Sequence, residues 1–260
     1  MPSQRPRLEE IEELERGARI KAAVAAGVLA DHPLIVRKYR LLADTARHSS
    51  SGTTIVDDFL APTQYRVSGH DRSHAVLGAR GECATVHPSQ VAIALVALGA
   101  HVETSLPDGN RRILPADAVH RLPGGTSRIP HQLRTGERIT HFVLPPAAKY
   151  QHYRRAPDPL FNDVTAASLA IAFDLELDHF MNIRISLGCV ASKPWRAARA
   201  EEVLEGKAPS PELFARAADA ELAEAKGCGH GAFKIPLARK LLVDGLAELT
   251  RVRADALSTA

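Results

Sequence analysis

Cysteine is scarce: three residues in 260, at Cys83, Cys189 and Cys228. The number is odd, the spacing wide and no CxxC pair occurs, so no disulfide framework follows and the usage fits a reducing compartment. Long hydrophobic runs are missing too. Asp174, Glu176 and Asp178 punctuate the most apolar stretch, and Ser-Gln-Arg-Pro-Arg near the N-terminus lacks the apolar core of a signal peptide. These absences exclude a membrane span and leave a cytoplasmic protein as the expectation. Charge of one sign is also lacking. The formal charge is +3, from 33 basic and 30 acidic residues, and basic residues mix with acidic ones, as in Arg196, Arg199, Glu201 and Glu202. Nucleic acid is therefore not an expected partner. There is no G-x-S-x-G elbow, P-loop or dinucleotide fingerprint. Pro123-Gly124-Gly125-Thr126 lacks the lysine and following helix that cradle phosphate. What remains is an ordinary globular composition, 45% apolar and 24% charged, in a chain long enough for two small domains.

The apolar pattern predicts a mixture of elements. Leu8, Ile11 and Leu14 recur every three residues, and with the Ala-rich run Lys21 to Ala30 they predict helix over 7–30. After Asp31-His32-Pro33 a second helix is expected from Leu34 to about Arg47, burying Ile35, Tyr39, Leu41 and Leu42. Thr53 to Val56 and Ala75 to Leu77 suit short strands. Ser89 is placed to cap an almost wholly apolar, buried helix from Gln90 to Leu98. His101 to Ser105 and Arg111 to Leu114 flank Pro107-Asp108-Gly109-Asn110, a hairpin signal, and Ile139 to Leu144 reads as a strand. Pro145-Pro146 marks the best domain boundary. Beyond it are expected a strand at Tyr150 to Arg154, an apolar helix at Val164 to Leu175, a strand at Asn182 to Val190 and helices at 196–205, 210–226 and 234–252. The class is α+β. The expected division is an acidic helical extension at 1–16, an α+β region at 17–147, a second domain at 148–252 and a tail at 253–260.

Several motifs, in one order, carry a family resemblance: His74-Ala-Val-Leu-Gly78, Cys83-Ala-Thr-Val-His-Pro-Ser89, Leu122-Pro-Gly-Gly-Thr126, Gly136-Glu-Arg-Ile139, Lys193-Pro-Trp-Arg-Ala197 and Ala232-Phe-Lys-Ile-Pro-Leu-Ala-Arg239. Together they resemble the flavoprotein (medium) subunit of molybdenum hydroxylases, the xanthine dehydrogenase and aldehyde oxidoreductase group. The resemblance runs from about Gly17 to Leu249. It implies a remnant of the second FAD-binding subdomain, then a C-terminal domain like that of CO dehydrogenase flavoproteins, an antiparallel sheet packed with helices. The family's first subdomain, with its Ala-Gly-Gly-Thr type loop, has no counterpart in the alignment, where an acidic helix is expected instead. Its second loop, of the type Ala-Thr-Val-Gly-Gly-Asn, falls near residues 49–65, which here carry one glycine before Asp57 and Asp58. Glycines allow the close backbone approach that a pyrophosphate needs, whereas carboxylates repel it. The acidic residue that usually follows the His-Pro-Ser run is Gln90, and Asp158, Phe161, Asn162 and Asp163 replace the family's aromatic Ser-Tyr-Ala-Phe segment.

His70, His74, Cys83 and His87 are the densest set of possible metal ligands. Gly69 and the β-rich Ala75 to Leu77 argue against the helix that would align them, and the resemblance places three of them at positions that are not ligands, so structural histidines and no metal are expected. An iron–sulfur cluster, present in some relatives, needs four thiolates and is not expected. His87 sits where the resemblance implies a cleft and is a candidate acid or base, set against a histidine that fixes its own loop. Arg154 and Arg155 fall near a family lysine and could meet an anion, or be solvated. The catalytic candidates are thus His87, Arg154 and Asp163; Ser89, Gln90 and Arg155 are the flavin-cleft candidates. Gly227-Cys228-Gly229-His230-Gly231 reads as a turn, with a Cys–His pair as the alternative.

Two readings follow. In the first the chain is a divergent flavoprotein-type subunit with an incomplete FAD site, its FAD held partly by another chain or replaced by a scaffold role. Its partners would be molybdenum-binding and iron–sulfur subunits, or further copies of itself. In the second it is an FAD-independent enzyme that uses the vacated cleft for acid–base chemistry, such as cyclisation, isomerisation or dehydration, on a small organic molecule.

Overall fold

The computed structural model describes residues 10–50, 52–61, 71–78, 85–122, 130–158, 160–161, 164–227 and 229–258. Its first elements are strands, not the expected acidic helix. β1 (Ile11–Leu14) and β2 (Gly17–Lys21) pair as an antiparallel hairpin. The three-residue spacing was outweighed by an alternation that starts at Gly17: Ala18 and Ile20 are buried, while Arg19 and Lys21 are not. β2 lies against β5 (Arg138–Leu144). Gly17 permits this, since its φ is +123° and a Cβ there would stand 2.0 Å from the carbonyl oxygen of Leu144. β3 (His101–Ser105) and β4 (Arg111–Pro115) form the expected hairpin and complete an antiparallel sheet of order β1-β2-β5-β3-β4.

Helices cover this sheet. α1 (Ala26–Asp31), α2 (Pro33–Lys38) and α3 (Arg40–Ala46) stand where two longer helices were expected. The break between α2 and α3 falls at buried Tyr39, whose hydroxyl donates to the Pro145 carbonyl at 2.7 Å. Thr53 to Val56 is not a strand. Thr54 makes a single bridge to Ala25 and caps α4 (Ile55–Phe59), accepting from the Asp57 N–H at 3.2 Å. Ala75 to Leu77 is not a strand either; the amides of Val76 and Leu77 both reach the Val190 carbonyl. α5 (Gln90–Ala97) is as expected, buried at every residue and capped by Ser89, which accepts from the Ala92 N–H at 2.9 Å.

A short α6 (Ala116–Val119) follows β4. The second sheet, of order β6-β7-β8-β9, is again antiparallel: β6 (Tyr150–Pro157), β7 (Thr165–Glu176), β8 (His179–Gly188) and β9 (Trp195–Arg196). β7 corrects the helix expected over Val164 to Leu175. A continuous apolar run does not separate buried strand from buried helix, and here both faces of the strand are covered. Leu169, Ile171 and Phe173 join one core with α7 (Ala198–Leu204), α8 (Pro211–Leu222) and α9 (Lys234–Ser258). Ala170 and Ala172 face the other core, with α3 and α5. Small residues on that side let α5 lie close to the sheet. The fold is therefore α+β, with two antiparallel sheets and α5 packed on the second. Among the described residues no helix is long and apolar enough to cross a membrane.

Candidate functional site

The flavin-cleft candidates meet at the start of α5, and their polar atoms are already engaged. The Ser89 hydroxyl donates to Asp58 Oδ1 while capping the helix. Gln90 donates through Nε2 to the Pro88 carbonyl at 2.8 Å and to Cys189 Sγ at 3.6 Å, and accepts from the Tyr153 hydroxyl at 3.0 Å. Burial pushes the Tyr153 hydroxyl and the Cys189 thiol up from their ordinary values, so both keep their protons at neutral pH. Arg155 lies on the same side of β6 as Tyr153, and its positive charge acts on both groups. α4 presents a similar start. Thr54 Oγ1 donates to Asp57 Oδ2 at 2.6 Å and accepts from the Asp57 amide, so carboxylates occupy the positive ends of both helices.

His87 is buried at 3% exposure. Its amide is tied to the Ala191 carbonyl, and its Nδ1 accepts from the Ser89 N–H at 3.4 Å. Its ring meets that of His120 edge to face, centroids 4.7 Å apart, and His120 Nε2 bonds the Phe59 carbonyl at 2.8 Å. Burial first, and His120 second, push His87 down to about 3; burial holds His120 at about 4. Both imidazoles are neutral at ordinary pH, and His87 is a very weak base.

Of the catalytic candidates, the structure places His87 and Arg154 on different faces of the second sheet. Successive side chains of a strand point to opposite faces. Tyr153 packs toward α5, whereas Arg154 lies on the α9 side, paired with Glu248 at 3.4 Å and Asp244 at 3.9 Å. His87 is on the α5 side. Asp163 lies outside the described residues, as do His70, Cys83 and Cys228. His74 makes a bridge to Thr85, and no group of three or more His, Cys, Asp or Glu is placed to hold a metal among the described residues.

Sequence reasoning passed over Lys234. Its side chain is buried and Nζ donates to the Cys189 carbonyl at 2.9 Å, with burial lowering it to about 8. The signal was present in Ala232-Phe-Lys-Ile-Pro, where a lysine stands among apolar residues. Near it Arg72 lies over the Phe233 ring and grips Asp158 with two nitrogens. Asp158, one of the residues that replace the family's aromatic segment, thus takes Arg72 and the Leu160 amide just after β6.

The Lys-Pro-Trp-Arg-Ala run is also accounted for by contacts. Trp195 Nε1 donates to Glu221 Oε1 at 2.7 Å, and Glu221 Oε2 takes the amides of Arg199 and Ala200 at the start of α7. Arg196 pairs with Glu201 and, across to α6, with Asp117.

Comparison with known proteins agrees with this architecture. Residues 151–249 match the CO dehydrogenase flavoprotein C-terminal domain. Over 258 aligned positions the chain is 30% identical to the aldehyde oxidoreductase FAD-binding subunit PaoB of Escherichia coli (strain K12), covering 89% of this chain and 78% of that one. Carbon monoxide dehydrogenase from Hydrogenophaga pseudoflava superposes with a TM-score of 0.72 at 23% identity, over 93% of this chain and 77% of that one. Quinoline 2-oxidoreductase from Pseudomonas putida 86 gives 0.70 at 17% identity, over 94% and 78%. With the shared fold, the ordered motifs and a 30% identical relative covered over most of its length, the chain belongs to the flavoprotein-subunit family of the molybdenum hydroxylases.

Proposed function

We propose that this chain serves as a flavoprotein-type subunit beside molybdenum-binding and iron–sulfur subunits, and that its own residues form an incomplete FAD site. The observation that carries the second part is the Asp58 carboxylate seated on Ser89 at the start of α5. A pyrophosphate held there would need free N–H donors at a positive helix end. The Ala92 amide is instead taken by Ser89, the Asp57 amide by Thr54, and two carboxylates stand in the first turn of α4. These residues do not fit a pyrophosphate, and no redox step is assigned to them. Any FAD used by the assembly would be held mainly by another chain or segment. The acid–base reading gains no support, because His87 is buried and neutral and Arg154 is on the far face of the sheet.

The test is a visible absorbance spectrum of the purified chain, followed by titration with FAD read through flavin fluorescence. The expected result is a colourless protein with no saturable FAD binding. A yellow protein with stoichiometric flavin would overturn the incomplete-site reading. Co-purification with molybdenum-binding and iron–sulfur chains is expected for the subunit role, and a protein that recruits neither would overturn that role.

A further inference from the structure

A cavity of about 490 Å³ lies among Leu77, Gly78 and Leu122, the β9 residue Trp195, Arg199 of α7 and Lys226 in the segment after α8. It shares no residue with the start of α5, and its volume falls in the range of about 300–1,000 Å³ usual for small-molecule sites. One wall is apolar and fixed. Gly78 has φ +67°, and a Cβ there would stand 2.6 Å from Leu122 Cδ2 and 2.9 Å from Trp195 Cζ3. The wall is thus built around the missing side chain, with the tryptophan ring at its edge. The hydrogen bond to Glu221 holds that ring in one orientation.

The charges at the rim are mostly spoken for. Glu221 has both oxygens on N–H donors, Arg199 pairs with Glu224 at 2.6 Å, and Arg196 is held by Asp117 and Glu201. Lys226 is exposed at the cavity and makes no side-chain hydrogen bond or close ion pair among the described residues; its charge acts at longer range on Glu224, which Arg199 already holds. One cation without a bonded partner, beside an aromatic, apolar wall, suits a flat apolar body carrying a single negative charge.

We propose that this cavity binds a planar aromatic monocarboxylate, its ring against Trp195 and Leu122 and its carboxylate on Lys226. This goes beyond the subunit role and does not depend on it. Trp195 is the single tryptophan of the chain, so intrinsic fluorescence reports the site directly. Titration of the full chain with sodium benzoate gives a saturable change in emission, whereas benzylamine and acetate do not. Lys226→Glu, an exposed substitution checked for unchanged circular dichroism, weakens benzoate about tenfold. The proposal fails if benzoate gives no saturable response, if benzylamine binds equally well, or if Lys226→Glu leaves benzoate binding intact. Tighter binding of a peptide ending in phenylalanine than of benzoate would assign the cavity to a partner chain's terminus and overturn the small-molecule reading.

Discussion

The start of α5 and the surroundings of Trp195 make an instructive pair. Both are polar clusters against an apolar core, and both were singled out by family motifs. Around Trp195 the motif is retained, and Glu221, Arg196 and Glu201 stitch β9, α6, α7 and α8 together. At the start of α5 the sequence departs from the family pattern at Asp58 and Gln90, and both are taken up by neighbours: Asp58 by the retained Ser89, Gln90 by Tyr153 and Cys189. The retained motif is explained by packing and capping. The altered one holds its buried polar groups by internal hydrogen bonds among its own side chains.

The largest test of this contrast is Glu221→Ala. It strands the Trp195 indole N–H and two α7 amides in a buried setting, so a loss of about 3 kcal/mol is expected in urea unfolding. A loss under about 1 kcal/mol would remove Glu221 from the role of hub. The next effect is acid sensitivity at the other cluster. His87 is held at about 3 in the fold against an ordinary 6.5, so the unfolded chain takes the proton first. Its contribution is fully present above pH 6.5 and is lost as pH falls toward about 3. At a pH near 4.5 the loss is just under about 3 kcal/mol, two pH units at about 1.4 kcal/mol each. His87→Gln, whose amide can still accept from Ser89, should flatten this acid limb when stability is compared at neutral and acid pH. An unchanged limb would mean that His87 is not buried and neutral. Ser89→Ala follows in size at about 1 kcal/mol, the usual weight of an N-cap.

The two clusters also differ in how far they could be read from sequence. The cap at Ser89 and the buried helix after it were legible because a hydroxyl before an unbroken apolar run has one common meaning. The hairpin at Pro107 to Asn110 was legible for the same reason. The first hairpin was not, because Leu8, Ile11 and Leu14 mimic a helix and the alternation of Ala18 and Ile20 is only two residues deep. β7 was misread because both its faces are buried, which erases the period-two signal. The site suffered most. Asp58 meets Ser89 across 31 residues and Gln90 meets Cys189 across 99, and no local spacing announces such contacts. Arg154 and Arg155 look equivalent in sequence, yet strand alternation sends them to opposite faces.

That last pair sets the smallest prediction and the sharpest check on the comparison. Arg154 is 42% exposed and pairs with Glu248 and Asp244 on the surface of α9. Ion pairs of this kind are screened and lose side-chain entropy, so Arg154→Ala should change stability by less than about 0.5 kcal/mol. The change should shrink further in high salt, and FAD titration should be indifferent to it. If Arg154→Ala instead altered the acid limb set by His87, the two residues would have to communicate through the sheet. The separation drawn between the α5 face and the α9 face would then fail. Alternation along β6 makes the opposite outcome the expected one, because no side chain on the α9 face can reach the start of α5 without crossing a layer of close-packed strand.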